Sequence, residues 1–380
     1  MKRIYLDNNA TTPLDPAVRE AMAPYLAVRF GNPSSAHLEG EVARDAVELA
    51  REKVAALLAS APGRVAFTSG GTEANNTAIW SAVAAFPEKK HLISSRVEHD
   101  SVLQPLFFLR DRFGYEVELL PVDGDGGLDL EKLAAAIRPD TCLVTLIGGN
   151  NETGVMWPVA EIGALCRERE VLFHCDAVQL IGKTAVHPEE LAVDYLSLAS
   201  HKLHGPKGIG ALWARRRAPL TSLIMGSGQE SGRRSGTENV PGIAGFGAAC
   251  ELAAAARSEE TRVAALRDGL EAGVLAAVDE VRINGRALPR LPNTSNLSFR
   301  NCSAAALIQD LDQLGFAVSA HAACHSGDSA ASHVLIAMEV PEDYLYGTLR
   351  VSLSRYTTEA EIDAFLAALP EVIAKSRQVM

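Results

Sequence analysis

No Cys-x-x-Cys pair occurs in this sequence, and its six cysteines, Cys142, Cys166, Cys175, Cys250, Cys302 and Cys324, lie far apart. That spacing excludes a disulfide framework and reads as the reduced thiols of a cytoplasmic protein, any one of which can be reactive. Apolar runs are short: none approaches the ~18 residues of a membrane span. The start, Met1-Lys-Arg-Ile-Tyr-Leu-Asp7, turns polar before a signal-peptide core could form. Positive charge is in deficit. With a formal net charge of -11 the chain offers no field that attracts phosphate backbones or anionic lipid, so neither nucleic acid nor membrane is an expected partner. Internal repeats and low-complexity segments are missing as well.

What is present is an ordinary globular composition, 47% apolar and 22% charged over 380 residues, enough for a large domain and a smaller companion. The most informative stretch is Ser197-Leu-Ala-Ser-His-Lys-Leu-His-Gly-Pro-Lys-Gly-Ile-Gly-Ala-Leu-Trp213. Two apolar runs flank a glycine-rich turn that carries Lys202, which predicts strand, loop and strand. Such flanks desolvate a lysine and favour a nucleophilic amine, while a lysine that snorkels to water fits the same segment.

Val65-Ala-Phe-Thr-Ser-Gly-Gly-Thr72 is a short strand running into a glycine turn, followed by an alanine-rich helical pattern to Phe86. Two glycines and a helix N-terminus make a candidate phosphate cup, and a glycine-capped structural turn is the alternative. The segment fits neither the P-loop nor the dinucleotide fingerprint. From His91 to Cys175 strand-like and helical patterns alternate, which predicts an α/β sheet with mostly parallel strands. Polar residues at strand ends then converge: Glu98-His99, Asn150-Asn151-Glu152, His174-Cys-Asp176-Ala-Val-Gln179 and His201-Lys202. Beyond residue 255, within a helical stretch, an α+β companion is expected. The predicted division is 15–255 for the large domain, with 1–14 and 256–380 forming the small one.

A lysine nucleophile, an aspartate and a phosphate cup on one sheet edge match what pyridoxal phosphate requires. The sequence also resembles the NifS/IscS-type cysteine desulfurases of the class V aminotransferase superfamily, along nearly its whole length. Matching stretches include Tyr5-Leu-Asp7, Ala10-Thr-Thr-Pro13, Thr68-Ser-Gly-Gly-Thr-Glu73, Glu98-His99, Asn150-Asn-Glu152, Asp176-Ala-Val-Gln179, His201-Lys202, Arg234-Ser-Gly-Thr237, Ala323-Cys324 and Arg350-Val-Ser352.

The resemblance implies the pyridoxal-phosphate-dependent transferase fold of type I, a large domain with a helix-flanked, mostly parallel sheet plus a smaller α+β domain. It implies Lys202 as the Schiff-base lysine, Asp176 at the pyridine nitrogen, Gln179 at the ring hydroxyl, and His99 as a catalytic residue that stacks on the ring and shuttles protons. Gly71, Thr72 and His201 would hold the phosphate, with Thr237 reaching it from the second subunit of a homodimer. Asn151 and Arg350 would orient the substrate, and Cys324 would take its sulfur as a persulfide, releasing alanine from L-cysteine for an acceptor or scaffold protein. The family's phosphate-contacting serine is here Ala199, so that contact is either lost or shifted to Ser200 beside it, which the resemblance adds to the candidate cofactor-binding residues. Around Cys324 the family's Gly-Ser-Ala-Cys is replaced by His321-Ala-Ala-Cys324, and Ala-Ala-Cys-His-Ser also resembles selenocysteine lyases. Three activities therefore stay open: cysteine desulfurase, a lyase acting on L-selenocysteine, and a cofactor-binding protein without either. No metal site is expected, although His321, Cys324 and His325 could begin one.

Overall fold

The computed structural model describes residues 3–320 and 331–379. Its centre is a seven-stranded sheet. The strands lie side by side in the order Val65–Thr68, Gly210–Ala214, Tyr195–Ala199, Leu172–Asp176, Thr141–Ile147, His91–Ser95 and Glu116–Leu120. All neighbouring pairs are parallel except those made by Gly210–Ala214, which runs antiparallel to both its neighbours. Thr141–Ile147 and Tyr195–Ala199 are buried at every position. They are the uniformly covered strands that a sheet with helices on both faces demands.

Helices Leu38–Leu57 and Val240–Ala255 share the large core with the sheet strands, while Ile79, Ala82 and Val83 of Gly71–Ala85 pack with Val102 and Leu106 of Asp100–Phe113. A second core forms around the antiparallel strands Val281–Ile283, Thr294–Phe299 and Thr348–Ser352, with the last helix, Glu359–Val379, packed on it. The N-terminus joins this second core: Ile4–Tyr5 pairs with Phe316–Ala317, and Leu6 is fully buried there. Val334, Leu335, Met338 and Val340 pack instead into the large core.

Most elements lie within a residue or two of where the sequence pattern puts them. The alanine-rich stretch after 240 is two helices, Val240–Ala255 and Glu259–Ala277, broken at 256–258. Helices His333–Ala337 and Glu342–Leu345 were not expected. One or two turns show no usable periodicity, and such short helices exist only through their tertiary contacts. No helix among the described residues is long and apolar enough to cross a membrane.

Candidate active site

Because the strands are parallel, Ser95, Ile147, Asp176 and Ala199 finish at the same edge of the sheet, and the residues that follow them form the site. After Ala199 the chain makes one 3-10 turn, Ser200–Lys202. The Lys202 ammonium donates to the backbone carbonyls of Asn9 and, at 3.0 Å, Ala10. This turn is laced to the N-terminal segment: Thr12 N and Oγ1 donate to His201 O at 3.0 and 2.9 Å, and His204 N donates to Thr12 Oγ1 at 2.8 Å. The polar stretch 7–13 thus forms one wall of the lysine site. His201 Nδ1 lies 3.2 Å from Thr11 Oγ1. Burial, with the charges of Lys202 and Lys207, pushes the His201 imidazole down to about 4, so it is neutral near pH 7.

Asp176 ends its strand with a buried carboxylate that accepts from Asn75 Nδ2 at 2.7 Å and from Val178 N at 3.0 Å. Asn75 Nδ2 also donates to Ser101 Oγ at 2.8 Å, which lies 2.8 Å from His99 Nδ1. A polar chain therefore runs from Asp176 through Asn75 and Ser101 to His99. His99 is the N-cap of helix Asp100–Phe113, its Nδ1 accepting from Ser101 N at 3.1 Å. Burial first, against the raising effect of Asp176, holds this imidazole below its ordinary pKa. A helix N-terminus disfavours an imidazolium in the same direction. With Nδ1 committed as an acceptor, Nε2 carries the proton of the neutral ring. Beside it Glu98 is fully buried, and burial pushes its carboxyl up to about 8.

The glycine turn opens helix Gly71–Ala85, whose N-terminus has no side-chain cap. Its first N–H groups have no intrahelical partners and point out of the helix end, as an anion site needs. A side chain at Gly71 would place its Cβ 2.7 Å from Val178 Cγ2 and 3.6 Å from Ala199 Cβ, so the helix end approaches the Asp176 and lysine strands at glycine distance. Thr72, next in line, is exposed.

Of Ala199 and Ser200, the geometry sets the first against the cup and the second against Gly205. Here Ala199 faces Gly71, and the buried Ser200 hydroxyl, which has no hydrogen-bond partner, lies 2.0 Å from where a Cβ on Gly205 would stand.

Arg350 is 1% exposed on the strand Thr348–Ser352. Its Nη2 donates to Asp7 Oδ1 at 2.8 Å and its Nη1 to Asn151 O at 3.2 Å, while its buried Nε has no partner among the described residues. An unpartnered buried guanidinium donor is costly unless an anionic ligand satisfies it. Gln179 Nε2 donates to Asn9 O at 3.0 Å, and Asn9 Nδ2 to Asn151 O at 3.1 Å, so Gln179, Asn151, Lys202 and Arg350 belong to one network. Thr237 is exposed and lines a different cavity, with Ser69, Gly208 and Arg234. Cys324 and His321 lie outside the described residues. On either side, Arg350 N donates to Ser319 O at 2.6 Å and Ser332 Oγ to Glu152 Oε2 at 2.6 Å.

Fold and site together define a lysine-centred enzyme of the pyridoxal phosphate fold type I class. The aminotransferase class-V family profile matches residues 4–365. Over 381 residues the chain is 46% identical to a cysteine desulfurase of Trichormus azollae, covering 99% of this chain and 94% of that protein. A solved NifS-like protein superposes with a TM-score of 0.92 at 38% identity, covering 98% of this chain and all of that one (100%). The structure of SspA in complex with cysteine superposes at 0.82 with 34% identity, covering 93% and 99%. This chain belongs to the class-V aminotransferase family, whose members depend on pyridoxal phosphate.

The residues present fit that cofactor. An uncapped helix end at Gly71, a buried carboxylate at Asp176 and an amine at Lys202 are the three groups its phosphate, ring nitrogen and aldehyde need. Asn75, Ser101, Asp7 and the N-terminal asparagines were missed from the sequence. Asn75 and Ser101 carried a usable signal, since each stands within four residues of a recognised cluster. The other contacts span more than a hundred residues of chain.

Proposed function

We propose that the chain is a pyridoxal-phosphate-dependent cysteine desulfurase that converts L-cysteine to L-alanine and moves the sulfur atom to its own Cys324. The observation that carries this reading is the convergence of Lys202, Asp176 and the open helix end at Gly71 on one edge of the sheet. Its similarity to a desulfurase over 99% of its length gives the reaction.

The cofactor, when bound, supplies an aldehyde that links to an amine and an electron-poor ring that stores the electron pair released at Cα. Gly71, Thr72 and His201 would hold its phosphate, Asp176 its ring nitrogen, Gln179 its ring hydroxyl, and His99 its face. His201, whose pKa burial lowers in the empty site, would offer a ring N–H to the phosphate. Asn151 and Arg350 orient the amino acid, the free Nε of Arg350 providing a donor for the carboxylate. Lys202 takes the Cα proton as a general base. The Cys324 thiolate attacks the substrate Sγ; an S–S bond forms, the Cβ–Sγ bond breaks, and its electron pair stays on Cβ, which takes a proton to give alanine. The persulfide then passes its outer sulfur to an acceptor or scaffold protein that builds iron–sulfur clusters or another thio-cofactor.

The working unit is read as a homodimer acting in the cytoplasm, with Thr237 completing the partner's phosphate site. Supporting it, Leu26, Val28, Phe30, Leu38 and Met225 are each more than 65% exposed, more apolar surface than a lone chain usually leaves to water. The division into 15–255 against 1–14 with 256–380 is part of the same reading; the second core, which joins Leu6 to residues of 263–373, supports it, while Leu291 and 334–340 pack with the large core.

The test is alanine release from L-cysteine and L-selenocysteine by the native chain and by Cys324→Ala. The reading expects alanine and a persulfide from cysteine, both lost in the variant. Full activity of the variant on cysteine would overturn the role of Cys324, and alanine from selenocysteine alone would make the chain a selenocysteine lyase.

A further inference from the structure

Lys183 is a largely buried lysine in the site that the reaction as described does not use. It stands four residues after Gln179, in two helical turns that follow the Asp176 strand: Ile181 N donates to Ala177 O and Thr184 N to Leu180 O, each at 3.0 Å. Gly182, at φ 73°, bends the chain there, and a Cβ at that position would meet Leu203 Cβ of the lysine turn at 2.9 Å. Both lysines reach the same residue, Lys183 the side-chain oxygen of Asn9 and Lys202 its backbone carbonyl. The Lys183 ammonium donates to Gln179 Oε1 and, at 2.9 Å, to Asn9 Oδ1.

Both acceptors are neutral amides, and no carboxylate pairs with Lys183 among the described residues. An ammonium has three donors and no acceptor. It can therefore meet only the oxygen end of each amide. Gln179 is left with Nε2 turned toward the Asn9 carbonyl and free to donate once more. Asn9 is left with Oδ1 shared between Lys183 and Asn293 Nδ2, which donates at 3.0 Å, and with Nδ2 toward Asn151 O and Thr294 Oγ1, at 3.1 and 2.8 Å. The carbonyl held by this arrangement is the one that accepts from Lys202.

We propose that Lys183 is a positioning residue of the reaction: through its donor-only ammonium it fixes the orientation of the Gln179 and Asn9 amides, and through its charge it tunes the linkage formed by Lys202. The inference rests on the reading of Lys202 as the lysine that binds the cofactor. Burial, with the neighbouring charges of Lys202 and Arg350, lowers the Lys183 pKa; the two amide oxygens that face the amine favour its protonated form. His201 and His204 of the lysine turn feel the same charge, Asp7 is occupied by Arg350, and Glu259, Glu260 and Arg355 line the same cavity. While Lys183 is protonated it disfavours a second proton beside it, so its removal raises the pH at which the lysine-linked cofactor loses its proton.

The experiment uses the full chain loaded with pyridoxal phosphate and follows its visible absorbance against pH, with cofactor dissociation measured alongside. In Lys183→Met and Lys183→Gln the midpoint is expected to rise by roughly one to two pH units, with the cofactor held about tenfold more weakly. Lys183→Arg keeps a donor-only cation and is expected to bring the midpoint back toward the native value. An unmoved midpoint in both neutral variants overturns the proposal, whatever happens to turnover. So does the failure of both to fold, which would make Lys183 a structural residue. A native chain that forms no lysine-linked band overturns the reading of Lys202 and leaves the variants without meaning for it.

Discussion

Asp7 and Arg350 show what a single pair must do for a substrate not yet bound. A guanidinium 1% exposed needs a carboxylate, and Asp7 supplies one at 2.8 Å. Asp7 itself is 16% exposed in its side chain, so the pair is buried on one side only. Removing Asp7 leaves Arg350 without its counter-charge, and Asp7→Ala is expected to cost about 3 kcal/mol of stability, read as a shift in the urea unfolding free energy. Arg350→Lys keeps the charge but loses the planar fork. Its expected signature is a rise in KM for L-cysteine and a fall in kcat/KM of about 10–100-fold, the worth of one hydrogen bond to a charged group. Equal kcat/KM for the native and lysine forms would show that the carboxylate is held elsewhere.

His174 carries the argument from a residue to an element. Its imidazole lies 2.7 Å from Thr145 Oγ1 on one neighbouring strand and 2.9 Å from Ser197 Oγ on the other, tying three strands beneath Asp176. Burial pushes it down to about 4. As pH falls below the ordinary histidine value of about 6.5, the unfolded chain takes a proton that the folded one refuses until near 4. Stability therefore falls with pH across that window, by at most about 1.4 kcal/mol per unit from this group. Urea unfolding of His174→Gln, which keeps a donor and an acceptor, is expected to show a shallower loss between those limits. An unchanged slope would place the acid sensitivity elsewhere. The helix end at Gly71 is the second element under strain of space. Gly71→Ala drives a methyl toward Val178 Cγ2, 2.7 Å away. Cofactor affinity is expected to fall about tenfold or more, since overpacking costs roughly 1–3 kcal/mol, and Val178→Ala in the same chain is expected to recover most of it.

Across the whole molecule, legibility in the sequence followed the length of the contacts. The alternation from His91 to Cys175 is a local pattern, and it located the sheet and three of the clusters at its edge. Lys202, Asp176 and Gly71 announced themselves by residue type within a few positions of a strand end. What stayed hidden depended on contacts distant in sequence: Asp7 with Arg350, Asn9 with Lys202, the N-terminal segment with the lysine turn. Ser200 stayed open for a different reason. Composition shows that a serine stands beside Ala199, but only the side of the strand decides which of the two faces the cup.

Thr237 poses the remaining question at the same scale, because its proposed site is in another chain. It stands exposed between Gly232 and helix Val240–Ala255, in a segment pinned by the buried ion pair of Arg51 with Glu230 at 2.7 Å and by Arg234 with Glu73 at 3.0 Å. Such anchoring holds the exposed residue in place at the surface. In a two-fold dimer each site would then be built from one chain's Lys202 and the other chain's Thr237. Lys202→Ala alone is expected to abolish turnover, and Thr237→Ala to weaken cofactor binding about 10–100-fold through the loss of one bond to the phosphate. Co-expressed with different tags and purified as heterodimers, the two variants make one site with both lesions and one with neither. At limiting cofactor such heterodimers are expected to recover about half the native activity. If Thr237 serves its own chain, no intact site can form, and the heterodimer stays below the Thr237→Ala homodimer.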